Sequence, residues 1–106
     1  MHILSERPED LIRSAPLLIF LFGDEACALC HALENRLDSW VAAHPEAEAR
    51  YIPIREQQAA CAQMGIFSAP TVLITMDGQV IARESGYFSL DRMLENVERA
   101  LALRDA

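Results

Sequence analysis

Residues 17–30 read LLIFLFGDEACALC, an apolar run that leads through a short acidic turn to two cysteines. The run Leu17–Phe22 is short, continuous and flanked by Pro16 and Gly23, which predicts a buried central strand rather than a helix. Cys27 and Cys30 then open an amphipathic segment, so the first sulfur should lie near the free N–H groups of a helix N-terminus, where a thiolate is stabilised. The pair can close a disulfide across one helical turn, and the chemistry that it predicts is thiol–disulfide exchange.

Size and charge limit the classes of function. The chain has 106 residues, enough for one core without cross-links, so we expect a single domain over residues 1–106. The net charge of −7 repels nucleic acid and anionic membrane surfaces, and neither is an expected partner. No basic and then apolar leader is visible, and the apolar run Ala15–Phe22 is far shorter than the roughly 20 residues that cross a bilayer. We therefore expect a cytoplasmic protein without a structural disulfide framework.

The rest of the pattern alternates between helices and strands. The predicted elements are helices near Pro8–Ile12, Cys27–Ala43, Gln57–Met64 and Leu90–Leu103, and strands at Leu17–Phe22, Arg50–Ile54, Thr71–Met76 and Gln79–Glu84. The first strand–helix–strand crossover gives a parallel pair, and Asp77-Gly78 predicts a two-residue hairpin. Pro53 favours an edge position for its strand. The expected fold is α/β, with a central four-stranded mixed sheet flanked by helices on both faces.

Three motifs, in this order, resemble the thioredoxin-like family. They are the Cys27-x-x-Cys30 helix start, the Gly65-Ile66-x-x-x-Pro70-Thr71 segment, and the Asp77-Gly78 hairpin with Gly86 beyond it. The resemblance covers about residues 15–105. Residues 30–33 and 67–89 look particularly like the small bacterial members of this family that are described as thiol–disulfide isomerases.

The resemblance implies a role for four residues. Cys27 would be the attacking thiolate and Cys30 the resolving thiol. Pro70 would be a cis proline facing the dithiol, and the backbone of Ala69 would pair with a substrate strand. The implied partners are protein or small-molecule disulfides and an unidentified thiol reductant or reductase, with no bound cofactor.

Two positions depart from the thioredoxin pattern. Thioredoxins carry Trp-Cys-Gly-Pro-Cys, whereas this chain reads ACALC, so Ala26 stands where the groove-lining tryptophan would be. Leu21 occupies the position of a buried aspartate that takes part in proton transfer to the resolving cysteine. The proton of Cys30 must then leave through water or a loop carboxylate, for which Glu25 is the candidate.

Exchange requires a thiolate at Cys27. A free thiol has a pKa near 8.5 and is only a few per cent ionised at neutral pH. The helix N-terminus lowers the pKa, whereas the neighbouring Asp24 and Glu25 raise it by like-charge repulsion. Each effect is about 1 kcal/mol at a partly exposed site, and we expect a modest net lowering of the Cys27 thiol pKa.

Other readings of the cysteines remain open. The pair could be structural, or could bind zinc, but a zinc site needs further ligands and none recurs at ligand spacing. Cys27 to His31 also matches the Cys-x-x-Cys-His pattern of covalent haem, although here it follows a buried strand in an α/β order. His31 is either a solvated helix residue or tunes the dithiol. Cys61 is an ordinary small residue on a short helix, or forms a regulatory or intermolecular disulfide.

A rival function belongs to a different class. A thioredoxin-like binding or redox-sensing module would hold a peptide strand beside Pro70 by backbone pairing, with slow cysteines. The missing tryptophan and the missing buried acid motivate this alternative. We expect Trp40 to lie in the core rather than in a groove, and Tyr87-Phe88 either to pack locally or to shape the contact with substrate.

Overall fold

The computed structural model describes residues 1–106 and contains five strands and four helices. In chain order these are β1 (His2–Ile3), α1 (Pro8–Ser14), β2 (Leu17–Gly23), α2 (Ala28–Ala42), β3 (Ala47–Pro53), α3 (Gln58–Gln63), β4 (Thr71–Met76), β5 (Gln79–Ser85) and α4 (Leu90–Arg104). The strands form one mixed sheet in the order β1-β3-β2-β4-β5.

The register of β2 with its neighbours positions the site. β2 runs parallel to β3, with Gly23 opposite Pro53, and antiparallel to β4, with Phe22 opposite Thr71. The end of β2 and the start of β4 therefore meet at one edge of the sheet. Consequently the turn that follows β2 and the loop that precedes β4 lie at the same end of the molecule.

The two faces of the sheet bury separate cores, because successive side chains of a strand point to opposite sides. Leu17, Ile19 and Leu21 contribute to one core, which α2 and α4 cover. Leu18 and Phe20 contribute to the other core, which α1 and α3 cover. All of these β2 side chains are fully buried, as expected for a continuous apolar run in a central strand.

The hairpin between β4 and β5 has the predicted two-residue turn. Asp77 and Gly78 both have positive φ, 50° and 85°. This backbone matches the twist of the flanking strands and suits glycine at the second position.

The prediction of four strands was wrong, because the sheet has five. The missed strand, β1, pairs in parallel with β3 through only two residues, His2 opposite Arg50 and Ile3 opposite Tyr51. Two residues carry no detectable alternation, so the sequence offers no signal for this strand. β3 consequently lies inside the sheet and not at its edge. Pro53 is tolerated there because β1 does not extend as far as this residue.

The helices are short relative to a bilayer. None of them is both long enough and apolar enough to cross a membrane.

Candidate active site

The two cysteines form a disulfide at the N-terminus of α2. Their Cα atoms are 5.2 Å apart. Cys27 is the N-cap residue of α2, and the backbone N–H of Cys30 donates to its Sγ at 3.1 Å. Cys27 is half-buried, whereas Cys30 has no exposed surface. A substrate approaching from solvent can therefore reach only the first sulfur, which a helix N–H group already contacts.

The turn between β2 and α2 is held by Asp24. Its carbonyl accepts from the backbone N–H of Cys27 at 2.9 Å, and its carboxylate accepts from the N–H of Ala26 at 3.1 Å. The same carboxylate lies 3.1 Å from Nε of Arg55. The Arg55 guanidinium thus partly compensates the negative charge of Asp24, which by itself would disfavour the Cys27 thiolate. This pairing was not predicted, because it depends on the register between β2 and β3.

Glu25 is exposed, and its carboxylate makes no hydrogen bond or ion pair within the chain. Its backbone carbonyl instead lies 3.2 Å from Nε2 of His31, in the first turn of α2. No hydrogen bond links the Glu25 carboxylate to either sulfur.

The loop before β4 has unpaired backbone groups, and it lies at the same end of the sheet as the dithiol. The Ala69–Pro70 peptide bond is cis. The Pro70 carbonyl accepts from the N–H of Gly86 at 3.0 Å, which brings the loop after β5 beside the proline. Neither the N–H nor the carbonyl of Ala69 has a partner within the chain. Both groups are therefore available to another strand.

Two exposed aromatic side chains belong to these loops, one to the loop before β4 and one to the loop after β5. Phe67 is 79% exposed and Tyr87, which follows Gly86, is 95% exposed. Phe88 is half-buried and packs against the core that α2 and α4 cover. Of the two aromatics predicted either to pack locally or to contact substrate, Phe88 packs and Tyr87 does not. The exposure of Phe67 was not predicted.

The Tyr51 side chain lies next to the turn, against the end of β2. Its ring lies so near Gly23 that a Cβ atom on that glycine would be 2.6 Å from the tyrosine hydroxyl. Burial, together with the acidic side chains Glu34, Asp24 and Glu25, raises the pKa of Tyr51, so the hydroxyl stays protonated. The sequence analysis missed this residue, because only the pairing of β3 with β2 brings it to the site.

Solved structures with the same fold include several thioredoxins. Thioredoxin 1 from Thermosipho africanus is 25% identical, covers 84% of this chain and 99% of its own, and superposes with a TM-score of 0.76. The thioredoxin of Fasciola hepatica is 22% identical over 93% and 98% of the two chains, with a TM-score of 0.79. Mitochondrial thioredoxin 3 of Saccharomyces cerevisiae, in its oxidised form, is 19% identical over 86% and 85%, with a TM-score of 0.75. No protein-family model matches the sequence, and no curated protein matches it.

The chain has the thioredoxin fold. It also carries a Cys-x-x-Cys pair, Cys27 and Cys30, at the start of α2.

Leu21 is fully buried, among the side chains of the core that α2 and α4 cover. The third cysteine, Cys61, lies across the sheet in the other core, where burial raises its thiol pKa. The structure thus does not bring Cys61 to the dithiol. Trp40 is half-buried at the far end of α2, where its ring stacks on His44 with centroids 3.7 Å apart. Trp40 therefore packs against the core at the opposite end of α2 from the dithiol.

Proposed function

We propose that the protein is a thiol–disulfide oxidoreductase in which Cys27 is the nucleophile and Cys30 the resolving thiol. The observation that carries this proposal is the unequal environment of the two sulfurs. Cys27 reaches the surface and caps α2, whereas Cys30 is buried one turn behind it. In the reduced protein the N–H of Cys30 would donate to the Cys27 thiolate, and hydrogen bonds to the charged form favour it.

The exchange proceeds in two displacements. The Cys27 thiolate attacks one sulfur of a substrate disulfide, forms a mixed disulfide and releases the other substrate sulfur as a thiolate. Cys30, once deprotonated, attacks Sγ of Cys27 and releases the second substrate thiolate. The substrate gains two electrons, and the protein dithiol becomes the disulfide. A thiol reductant or reductase then restores the dithiol. The short separation of the two cysteines supplies the proximity that makes the second step fast.

The substrate strand would bind along the loop before β4. The unpaired N–H and carbonyl of Ala69 support backbone pairing there, next to the cis Pro70. The substrates are protein or small-molecule disulfides. Since this chemistry needs only thiols, no bound cofactor is required, and a reducing compartment such as the cytoplasm suits it.

The proton of Cys30 has no carboxylate beside it, because Leu21 occupies the buried position. We propose that the proton leaves through water, with the exposed and unpaired carboxylate of Glu25 as the candidate acceptor. A Glu25→Gln variant should then slow the resolving step while leaving alkylation of Cys27 close to its normal rate.

Insulin reduction with dithiothreitol, and a glutathione-coupled assay, test the proposed activity. The wild-type chain should turn over, and Cys27→Ser should abolish turnover. Cys61→Ala is the matched control, because Cys61 lies across the sheet, and it should retain activity. Absence of dithiol-dependent turnover with any reductant would remove the proposal.

Substrate contact by the two exposed aromatics can be tested separately. Phe67→Ser and Tyr87→Ser should raise KM for a protein disulfide several-fold, because each substitution removes an exposed contact surface. The kcat should stay nearly unchanged, because neither ring takes part in the exchange between sulfurs. Leu103 is 78% exposed at the opposite end of α4 from the Gly86 loop, so Leu103→Ser is the control and should change neither constant.

The rival proposal is a binding or redox-sensing module with little turnover. The buried Leu21, together with Ala26 in place of a groove tryptophan, favours this alternative. The dependence of the Cys27 alkylation rate on pH separates the two functions. An alkylation midpoint at or above that of a free thiol, near pH 8.5, favours the module, and a lower midpoint favours the oxidoreductase.

A further inference from the structure

A small cavity opens beside the turn that leads to Cys27. Its volume is about 180 Å³. The turn contributes Asp24 and Glu25 to its wall, and β3 with the residues that follow contributes Tyr51, Pro53, Arg55 and Glu56. Because β2 stands between β3 and β4 in the sheet, this cavity and the cis Pro70 loop lie on opposite sides of the end of β2. A substrate bound along the Pro70 loop therefore does not occupy the cavity.

Much of the cavity wall is apolar. Pro53 and the ring of Tyr51 contribute to it, together with Ile3 of β1, whose side chain is 57% exposed. Gly23 adds no side chain, and the Tyr51 hydroxyl comes close to its Cα hydrogens. A ligand with an aliphatic stem would remove this apolar surface from water.

The rest of the wall is acidic. Three carboxylates face one guanidinium, and that guanidinium is already held by Asp24, 3.1 Å from Nε of Arg55. Glu25 and Glu56 are exposed, and neither carboxylate has an ion-pair partner within the chain. The cavity therefore carries two uncompensated negative charges.

The Tyr51 hydroxyl senses this field. Burial is the main reason that its pKa is raised, and nearby negative charges raise it further, those of Glu34, Asp24, Glu25 and Glu56. The hydroxyl makes no hydrogen bond within the chain, so its oxygen is free to accept one from a cation.

We propose that the cavity binds a lysine or arginine side chain of the protein disulfide that Cys27 attacks. The aliphatic stem lies on Ile3 and Pro53, and the charged end meets Glu25 and Glu56, as expected for a side chain that buries its stem and keeps its charge near solvent. An acidic side chain is repelled, and a neutral apolar one gains only the apolar contact. This preference rests on the proposed function for the attack by Cys27, but it does not require turnover.

Formation of the mixed disulfide by a Cys30→Ser protein measures the preference without turnover. The probes are short peptides with one cysteine activated as a 2-thiopyridyl disulfide. The Cys27 thiolate bonds to the peptide sulfur, the bond to thiopyridine breaks, and the released thiopyridone is followed by its absorbance. Each peptide carries lysine, norleucine or glutamate at one position near the cysteine, and a set of peptides moves that position over three residues on either side.

Lysine at the favoured position should react about five-fold faster than norleucine, as two partly exposed ion pairs would give. Glutamate should react more slowly than norleucine. The lysine advantage should fall towards equality in 1 M salt, where the screening length is about 3 Å. Equal rates for lysine and norleucine at every position would overturn the proposal.

Three variants of the same protein locate the preference. Glu56→Gln should lower the ratio of the lysine rate to the norleucine rate about two-fold. Arg55→Gln frees the Asp24 carboxylate and should raise the same ratio. Glu95→Gln is the matched control, because Glu95 is an exposed and unpaired glutamate on α4, and the ratio should not change. The ratio cancels any change in the reactivity of Cys27 itself.

A lysine preference can also come from the net charge of −7 alone. In that case every lysine position would gain equally, and Glu56→Gln and Glu95→Gln would lower the ratio by the same amount, which would overturn the assignment to the cavity. A clear lysine preference in a wild-type protein that fails to reduce insulin would contradict only the proposed function. Insulin reduction without a lysine preference would contradict only the cavity.

Discussion

Leu21→Asp puts a carboxyl group where thioredoxins have one, in a position that this chain seals from water. Leu21 has 0% exposed surface and belongs to the core that α2 and α4 cover. A carboxylate there would lose its solvation and find no cationic partner, so the pKa of the introduced carboxyl should rise. We expect a stability loss that depends strongly on pH.

The magnitude has two parts. Removing the buried leucine side chain costs about 2–5 kcal/mol at any pH, as in other cores. The unfolded-state pKa of aspartate is about 3.9, and full burial raises it by about 3 units. At about 1.36 kcal/mol per unit, this adds about 4 kcal/mol at pH 7. Since the folded pKa is the higher one, the added cost is absent below pH 3.9 and grows as pH rises towards 7.

Urea unfolding of the oxidised protein, followed by the fluorescence of Trp40, measures this cost. Leu21→Asn is the matched control, because it loses the same apolar contacts and does not titrate. The difference in unfolding free energy between the two variants should grow by about 3 kcal/mol from pH 4.5 to pH 7. A constant difference over this range would mean that the introduced carboxyl reaches water, and would refute the sealed environment inferred for Leu21.

Three further outcomes follow from other contacts. Hydrogen bonding from Arg50 lowers the pKa of Glu6 from 4.5 to about 2, so this pair stabilises the fold above pH 4.5 and less as pH falls towards 2. Glu6→Gln should remove that part of the acid sensitivity, about 0.5–1 kcal/mol in urea unfolding, because the Glu6 side chain is exposed to solvent. Gly23→Ala should destabilise the protein by about 1–3 kcal/mol through the clash with Tyr51, and Tyr51→Val should relieve most of this cost; a neutral Gly23→Ala contradicts the close approach. Native Cys61 should resist iodoacetamide at pH 8 and react in urea, as mass spectrometry will show, because burial raises its thiol pKa; rapid native labelling would argue against its buried position.

The parts of the fold that local pattern determines were predictable from sequence. The apolar run of β2, the start of α2 at the cysteines and the Asp77-Gly78 turn each depend on residues that are adjacent in the chain. β1 was missed because its two residues acquire strand geometry only through pairing with β3. The same reason explains the start of β3 at Ala47, three residues before the predicted Arg50.

The cysteines of the candidate site were predictable from sequence motifs, but the contacts around them were not. Cys27 and Cys30 were identified from their spacing and from their position between a buried strand and a helix, and their separate roles came from the resemblance to thioredoxins. The compensation of Asp24 by Arg55, and the packing of Tyr51 on Gly23, both depend on the parallel register between β2 and β3. Contacts of this kind join residues about thirty positions apart, and periodicity within one element does not encode them.

Because only the Cys27 sulfur is accessible, the protein can be used to trap its partners covalently. Because Cys30 is buried behind Cys27, a Cys30→Ser chain would attack a partner disulfide through the Cys27 sulfur only, and it would lack the thiol that releases the attached partner. Each adduct would then carry its link at a known atom. Non-reducing electrophoresis and peptide mapping could read both the identity of the partner and the cysteine through which it was joined.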